Sequence, residues 1–397
     1  MMNNMNWLRQ KGSKNESRVS FVELFFDLVF VYSISQLAHT LAGHFTWYGV
    51  IETGLLLFAV WWVWTFTAWV TNWLDPDRMP VRVMLFCLMF VGLVLSASIP
   101  EAFEGRGLSF AVAYVLMQVG RSLFTVYALK DAGPVRHRNF IRISCWLIVA
   151  GVFWIAGGVA EGEARLALWV VALLIEYAGP AAGFRVPGLG HSAAEDWDIS
   201  GAHMAERCAL FIIICLGETI LEAGEAFAEL PTGVTTLTIL LTVFVGTIAM
   251  WWIYFRFGHE RAAHRIEHAE TPGRLARQAF TYAHIPILAG IILNVVGNKL
   301  LFEAPHEAVE PASVAAVLGG PLLFLVGNLW FKGATSGRPP LSHMVGIAAL
   351  LVAWPLAFAF DVYGLGALAT AILVVVAVWE FVSLTRPASP GQSSKAH

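Results

Sequence analysis

The feature that most constrains this fold is a series of long apolar runs separated by short polar segments. A membrane-spanning helix needs about 20 mostly apolar residues, and twelve stretches of the 397-residue chain meet that requirement. Because lipid offers no partner to a free peptide group, each run is expected to be a complete helix. The predicted spans are 19–42, 47–73, 81–100, 107–129, 140–160, 165–184, 204–225, 234–257, 278–299, 311–331, 341–361 and 363–385.

This pattern predicts an all-α fold, a polytopic transmembrane helix bundle of about 12 spans. Only 13% of the residues are charged, about half the share that is usual in a soluble domain. We divide the chain into a cytoplasmic N-terminal segment (1–18), a single transmembrane domain (19–385) and a disordered cytoplasmic tail (386–397). The even number of spans suggests two six-helix halves related as a parallel repeat.

The basic residues predict how the bundle is oriented. All but four of the 25 lysines and arginines fall on the side that holds both chain ends, whereas the opposite connections are acidic. By the positive-inside rule, this predicts a multi-pass protein of the bacterial inner (plasma) membrane with both termini cytoplasmic. No basic run suits nucleic acid, so the expected surroundings are the lipid bilayer. The four exceptions are Arg106, Arg121, Arg165 and Lys299.

Two acids lie inside the first apolar run. Glu23 and Asp27 are four residues apart and share one helix face. Each would cost roughly 2.5–3.5 kcal/mol at mid-helix in lipid, so both are expected to face other helices and to have partners. Arg121 lies at a matching depth in the fourth run, about 12 Å from the cytoplasmic side. We therefore predict that Arg121 pairs with Asp27 or Glu23, either as a functional charge or as a structural link.

The seventh run carries a polar stripe along its length. His203, Arg207 and Glu218 fall on one face at helical spacing, with Gly217 and Gly224 nearby to permit close helix approach. Polar residues at either end of the run could simply meet water at the two interfaces. That interpretation does not account for Glu218, which lies about 21 Å from the cytoplasmic side.

Two further ionisable residues fall inside apolar runs. Glu176 lies near the middle of the sixth span and His284 lies in the ninth. With Asp27 and Glu218 they step from the inner to the outer third of the membrane, and such a series of carboxyl and imidazole groups could exchange protons. A lone histidine in an apolar helix is also commonly a satisfied core residue, and both interpretations remain open.

Several motifs resemble those of one bacterial family. They are Glu23-Leu24-Phe25-Phe26-Asp27, Asn72-Trp73-Leu74-Asp75-Pro76, Ala97-Ser98-Ile99-Pro100-Glu101, the run from Tyr114 to Arg121, Glu206-Arg207 with Leu216-Gly217-Glu218, and Tyr282-Ala283-His284-Ile285-Pro286. In this order they resemble the low-temperature-requirement protein A (LtrA) family over most of residues 18–385. The resemblance implies a polytopic inner-membrane protein, linked by its family name to growth in the cold, without implying a substrate.

The working prediction is a proton-coupled secondary transporter of an unknown small solute. The alternatives are an ion channel, an intramembrane enzyme acting on lipid, and a membrane sensor or scaffold without flux. No soluble catalytic motif, metal-ligand set or cofactor loop is found, so no enzyme, metal or cofactor is predicted, and a homo-oligomer remains open. The predicted path has Asp27 and Glu218 as protonatable sites, Arg121 as counter-charge, Glu23, Glu176 and His284 as relay, and Arg207 beside them.

Overall fold

The described part of the chain forms a bundle of twelve long helices. A computed structural model describes residues 7–9, 18–192, 200–256, 265 and 272–385; the predicted tail lies outside these ranges, as does most of the predicted N-terminal segment. The predicted all-α class is confirmed. The helices are α1 (Phe21–Gly43), α2 (Trp47–Trp73), α3 (Met79–Ser98), α4 (Gly107–Ala128), α5 (Pro134–Val159), α6 (Gly162–Ala181), α7 (Gly201–Glu229), α8 (Val234–Phe255), α9 (Pro272–Ala276, Arg277–Tyr282 and His284–Glu303), α10 (Pro311–Ser336), α11 (Leu341–Leu356) and α12 (Val362–Thr385).

Each predicted span corresponds to one of these helices. Within the described residues, eleven helices are long and apolar enough to cross a membrane. The remaining one, α7, is the helix with the polar stripe. The chain is therefore a multi-pass membrane protein. In α7 the polar residues near the start, His203 and Arg207, are buried by other helices, whereas Glu225 and Glu229 at its end are exposed.

Local sequence signals begin several of these helices. The Ser20 hydroxyl accepts the Glu23 N–H while the Glu23 carboxylate accepts the Ser20 N–H, which is a capping box at the start of α1. The Thr46 hydroxyl caps α2 in the same way, through the Gly49 N–H. Prolines occupy the first turn of α5 and α10, where a missing N–H costs nothing.

Most helix contacts among the first six helices recur among the second six. Within the first half α1 packs on α2 and α3, α4 packs on α2, α3 and α5, and α6 packs on α2 and α5. Within the second half α7 packs on α8 and α9, α10 packs on α8, α9 and α11, and α12 packs on α8 and α11. Helix α12 also packs on α9 and α10, whereas the corresponding contacts of α6 on α3 and α4 are at most weak. This correspondence supports two six-helix halves. The halves meet where α1 and α2 pack against α7 and α9.

Small residues permit the closest helix approach, between α9 and α10. A Cβ added at Gly290 would lie 2.5 Å from the Phe324 nitrogen, and one at Gly320 would lie 2.7 Å from the Asn294 nitrogen. Backbone packed against backbone in this way is typical of membrane helices. The sequence instead predicts that another helix approaches α7 closely at Gly217 and Gly224. That prediction is wrong, because nothing lies within 4 Å of a Cβ added at either position.

Two helices contain a π-helical turn, each directly before a residue singled out in the sequence. In α4 the wide turn covers Leu116–Gly120 and precedes Arg121. In α9 it covers Arg277–Tyr282, and helix resumes at His284. Such turns shift the register of the residues that follow and occur often at functional sites.

Candidate functional site

Helices α1 and α7 run parallel and exchange polar contacts along most of their length. Both begin at the same end of the bundle, which we call the basic end, and both finish at the opposite end, which we call the acidic end. The two acids of α1 and the polar stripe of α7 therefore face each other across the boundary between the halves. The contacts, from the basic to the acidic end, join Glu23 and Asp27 to Arg207, Ser35 to Glu218, and His39 to Glu222.

At the basic end, Arg207 holds both acids of α1. Its Nη1 lies 3.0 Å from Glu23 Oε1 and its Nη2 lies 2.6 Å from Asp27 Oδ1, with all three side chains fully buried. The guanidinium also lies over the Trp64 ring, 5.5 Å from its centroid. The sequence correctly indicated that Glu23 and Asp27 must have a buried partner. It was wrong to assign that partner as Arg121.

Neutral groups complete the ion cluster. The Trp64 indole N–H donates to Asp27 Oδ1 at 2.7 Å. Asn72 donates from Nδ2 to His203 Nδ1 at 3.2 Å, and its own Oδ1 accepts the Ser200 N–H, which fixes the amide orientation. His203 Nε2 lies 3.0 Å from Glu23 Oε1 and 3.0 Å from Arg9 Nη2, so the imidazole lies between an acid and a guanidinium. Asp27 Oδ2 lacks a hydrogen-bond partner in the described part of the chain.

A short N-terminal strap (residues 7–9) closes this cluster at the basic end. The Arg9 N–H donates to Trp73 O at 2.8 Å, and Leu8 forms a bridge with Leu74. The strap places Arg9 Nη2 2.9 Å from Glu23 Oε2. Two guanidinium groups thus balance two carboxylates. Sequence reasoning missed Arg9, because it lies outside the apolar runs among other basic residues.

Arg121 belongs to a different cluster, built around Glu176. It donates to Val63 O at 3.1 Å, to Thr67 Oγ1 at 2.9 Å and to Gln118 Oε1. Gln118 then donates from Nε2 to Glu176 Oε2 at 3.0 Å. Arg121 is therefore linked to an acid through an amide, and not directly to either acid of α1.

Glu176 accepts hydrogen bonds from three donors on two neighbouring helices. The Tyr114 hydroxyl donates to Oε2 at 2.7 Å and the Trp154 indole N–H donates to Oε1 at 3.0 Å, in addition to Gln118. This cluster lies among α4, α5 and α6, away from the α1–α7 contact. The prediction of a single ladder through Asp27, His284, Glu176 and Glu218 is wrong for Glu176, which the fold sets apart.

His284 is satisfied on both ring nitrogens. Nδ1 donates to Ala279 O at 2.8 Å, and the Tyr254 hydroxyl lies 2.8 Å from Nε2. The ring also stacks on Trp61 at a centroid distance of 5.9 Å. The acceptor, Ala279 O, belongs to the π-helical turn, so the backbone irregularity and the histidine are coupled. The geometry matches the core-residue interpretation that the sequence left open.

The acidic end contains an open cavity of about 280 Å³ between α1, α7 and α9. We call it the acidic vestibule. His39 Nε2 lies 2.8 Å from Glu222 Oε1 on its wall, and the Ser35 hydroxyl donates to Glu218 Oε1 at 2.5 Å just below. The other ionisable residues that line the vestibule are Glu225, Glu229, Lys299 and Glu303.

An apolar layer separates the acidic vestibule from the ion cluster. Asp27 and Ser35 are eight residues apart on α1, which corresponds to about 12 Å along the helix axis. The buried residues between these levels include Phe30 and Val31 of α1 and Phe211 and Ile212 of α7. The series of polar contacts between α1 and α7 is thus divided in two by one layer of apolar side chains.

A second buried ion pair lies in the other half. Lys332 of α10 lies 2.7 Å from both carboxylate oxygens of Glu380 on α12, and it donates to Ile253 O at 2.6 Å. Sequence reasoning missed this pair. The available signal was Glu380 itself, an acid within the last apolar run.

Among the described residues no group of three His, Cys, Asp or Glu side chains is arranged to hold a metal ion. What the fold defines is a polytopic membrane protein with paired charges buried in its core. The family described as "Bacterial low temperature requirement A protein (LtrA)" matches this chain over residues 18–378. The chain therefore belongs to this family.

One relative and the solved structures complete the comparison. The chain is 45% identical over 383 residues to the "Uncharacterized protein RA0937" of Rhizobium meliloti (strain 1021). The aligned region covers 96% of this chain and 93% of the relative. No solved structure matches the chain.

Proposed function

We propose that this protein is a proton-coupled secondary transporter of the inner membrane, with both termini cytoplasmic. The observation that carries the proposal is the α1–α7 contact, where ionisable side chains follow one another from one end of the bundle to the other. Ionisable residues within a membrane bundle are costly and generally mark ion or substrate pathways. Contacts at the boundary between two repeated halves are also where transporters bind their coupling ions.

In this proposal the acidic vestibule is the outward-facing access route. The basic end would face the cytoplasm, in keeping with the positive-inside rule. Glu218 is a half-buried carboxyl just below the vestibule, and Ser35 is its hydrogen-bond donor. Asp27 is the second carboxyl, with one oxygen held by Arg207 and the other without a described partner. A proton would pass between them when the apolar layer separates.

The structure would then represent one state of an alternating cycle. The apolar layer of Phe30, Val31, Phe211 and Ile212 closes the bundle below the acidic vestibule. The strap with Arg9 closes it at the basic end. Opening toward the cytoplasm would require the strap to leave Glu23 and the two halves to tilt apart at that end.

The test is flux in proteoliposomes under an imposed pH gradient, read with an entrapped pH dye while a panel of metabolites is offered. We expect Asp27→Asn and Glu218→Gln each to abolish substrate-dependent proton movement. Both should keep the wild-type elution volume on gel filtration, since Asn and Gln can still accept the hydrogen bonds from Trp64 and Ser35. Glu161→Gln, at an exposed acid in the α5–α6 connection, is the matched control and should retain full flux.

A second candidate is a sensor or scaffold without flux. The observation that favours it is the complete burial and pairing of Glu23, Asp27 and Arg207, which suits a structural lock between the halves. Under this alternative no metabolite moves protons through the wild-type protein. Asp27→Asn would then lower the stability of the fold without removing any flux, because the cluster would serve only to hold the helices together.

A further inference from the structure

A narrow cavity at the basic end combines aromatic walls with buried polar atoms. It lies between α2, α5, α6 and the start of α9, has a volume of about 40 Å³, and we call it the aromatic slot. Trp62, Phe66, Trp69, Phe140 and Phe184 form its walls. Small-molecule sites are typically lined by apolar and aromatic side chains with a few convergent polar groups.

Three polar side chains of the aromatic slot have no hydrogen-bond partner among the described residues. They are the Trp62 indole N–H, the Thr65 hydroxyl and the Thr281 hydroxyl, and each residue is at most 2% exposed. A buried polar group without a partner costs about 1–3 kcal/mol. Three such groups around one cavity, in a core where most other polar groups are paired, indicate a ligand that carries hydrogen-bonding atoms.

A larger and basic cavity adjoins the aromatic slot. It has a volume of about 560 Å³ and is lined by Arg185, His191, Arg274 and Arg277. Pro180, Phe184 and Arg277 line both cavities, so the two lie side by side. None of the three arginines forms an ion pair with a described residue. Their charges are therefore available for an anion at the mouth of the aromatic slot.

The sizes and positions of the two cavities define the shape of the ligand. Arg277 lies five residues into α9 and Thr65 lies eight residues before the end of α2 at Trp73, so they are about 8 Å and about 12 Å along their helices from the basic end. The aromatic slot admits roughly three non-hydrogen atoms, on the basis that about 10–15 Å³ of such volume accommodates one water. A carboxylic ester group meets this size and offers oxygen acceptors.

We propose that the aromatic slot and the basic cavity together bind an anionic phospholipid at the basic end of the bundle. Its phosphate lies at Arg274 and Arg277, which present forked donors suited to phosphate oxygens. Its ester group lies in the aromatic slot, where Thr65, Thr281 and Trp62 donate to the ester oxygens. The acyl chains stay in the surrounding bilayer. This site does not depend on the transport proposal, because it lies on the opposite side of α2 from Asp27's partner Trp64.

The test measures lipid binding to the purified full-length protein in a maltoside detergent. Tryptophan quenching by phosphatidylglycerol with brominated chains, together with native mass spectrometry, gives the affinity. We expect Arg277→Gln to weaken phosphatidylglycerol binding about tenfold, since a hydrogen bond to a charged group contributes about 1.5–3 kcal/mol. Arg338→Gln, an exposed arginine between α10 and α11, is the matched control and should bind as the wild type does.

The slot has its own variant, Thr65→Val, which keeps the side-chain shape and removes the hydroxyl. We expect it to weaken phosphatidylglycerol binding several-fold while leaving the melting temperature equal to or above that of the wild type. A higher melting temperature with unchanged lipid binding would overturn the proposal, because the slot would then hold only water. Equal binding of brominated phosphatidylcholine, or full displacement by 10 mM inorganic phosphate, would overturn it as well.

Discussion

Arg207 carries more of the core's charge balance than any other single side chain described. It bonds Glu23 and Asp27 from one guanidinium, and it also donates to Thr71 Oγ1 at 3.1 Å. A lysine could not reproduce this arrangement, because an ammonium group is a point donor without a planar fork. The residue therefore joins the halves and neutralises two acids at once.

Removing this guanidinium should destabilise the protein strongly. We expect Arg207→Gln to lower the free energy of unfolding by about 3–5 kcal/mol, because Glu23 and Asp27 would remain buried without their main counter-charge. Unfolding in detergent micelles, followed by circular dichroism during denaturant titration, measures the change.

The matched control is Arg106→Gln, whose ion pair with Glu101 is about half exposed. An exposed pair contributes about 0–1 kcal/mol, so this variant should unfold almost as the wild type does. Similar losses for Arg106→Gln and Arg207→Gln would contradict the role given to the buried cluster.

At the scale of elements, the contact between α9 and α10 is set by backbone approach. We expect Gly290→Ala to lower the melting temperature clearly, because its Cβ would lie 2.5 Å from the Phe324 nitrogen and the helices would have to separate. Gly224→Ala is the control, since its Cβ meets nothing within 4 Å and alanine favours a helix over glycine by about 1 kcal/mol. Thermal unfolding in detergent compares the two, and equal melting temperatures would count against close packing at Gly290.

Helix α12 begins at a capping aspartate in the connection at the acidic end. The Gly364 N–H donates to Asp361 Oδ1 at 2.7 Å and holds the pKa of Asp361 below its ordinary value, and His306 acts in the same direction from 3.3 Å. Because the folded-state pKa is lower than the unfolded one, the cap's stabilisation is full above the ordinary pKa and is lost as pH falls through the folded value.

The capping interaction predicts a pH-dependent cost for Asp361→Ala. At pH 6 the variant should lose about 1 kcal/mol of unfolding free energy, the typical value of an N-cap. The difference from the wild type should shrink once the pH falls below about 4, where the aspartate begins to take up a proton. Denaturant titrations at pH 6 and at the lowest pH that keeps the protein folded give the two differences. A difference that does not change with pH would exclude the charged cap as its cause.

At the scale of the whole molecule, the proposed orientation can be read from labelling at the two ends. Glu161→Cys lies in an acidic-end connection and Arg338→Cys in a basic-end connection. We expect an impermeant maleimide to label the first in intact cells and the second only after permeabilisation, since the basic end is proposed to be cytoplasmic. The unsubstituted protein gives the background from its four cysteines. Labelling in the opposite order would reverse the assignment.

The sequence predicted the architecture well because hydropathy in a bilayer is a strong local signal. Length and apolar composition locate a span without knowledge of its neighbours. Pro321 and Pro355 lie inside α10 and α11, and both spans were still predicted correctly. The same reasoning showed that Glu23 and Asp27 require buried partners. Each of these conclusions requires only the sequence of one helix and the properties of the bilayer, and not the identity of the neighbouring helices.

Partner identity was beyond the sequence because depth does not tell which helices adjoin. The sequence indicated Arg121 as the partner of Asp27, whereas the packing of α1 on α7 makes that partner Arg207. The same limit explains why Glu176 was placed in one series with Asp27, although the fold separates them. Arg9 was missed since its role depends on a strap that returns to the end of α2.

The parallel course of α1 and α7 has a mechanical consequence. Their ionic contacts all lie on one line between two similarly built halves, so sliding either helix by a single residue would break every one of them together. A tilt of one half relative to the other about that line would break few of these contacts. If the protein moves, the two halves should therefore rotate as rigid bodies about the line where α1 and α7 meet. The paired charged side chains would keep the two helices from sliding along each other.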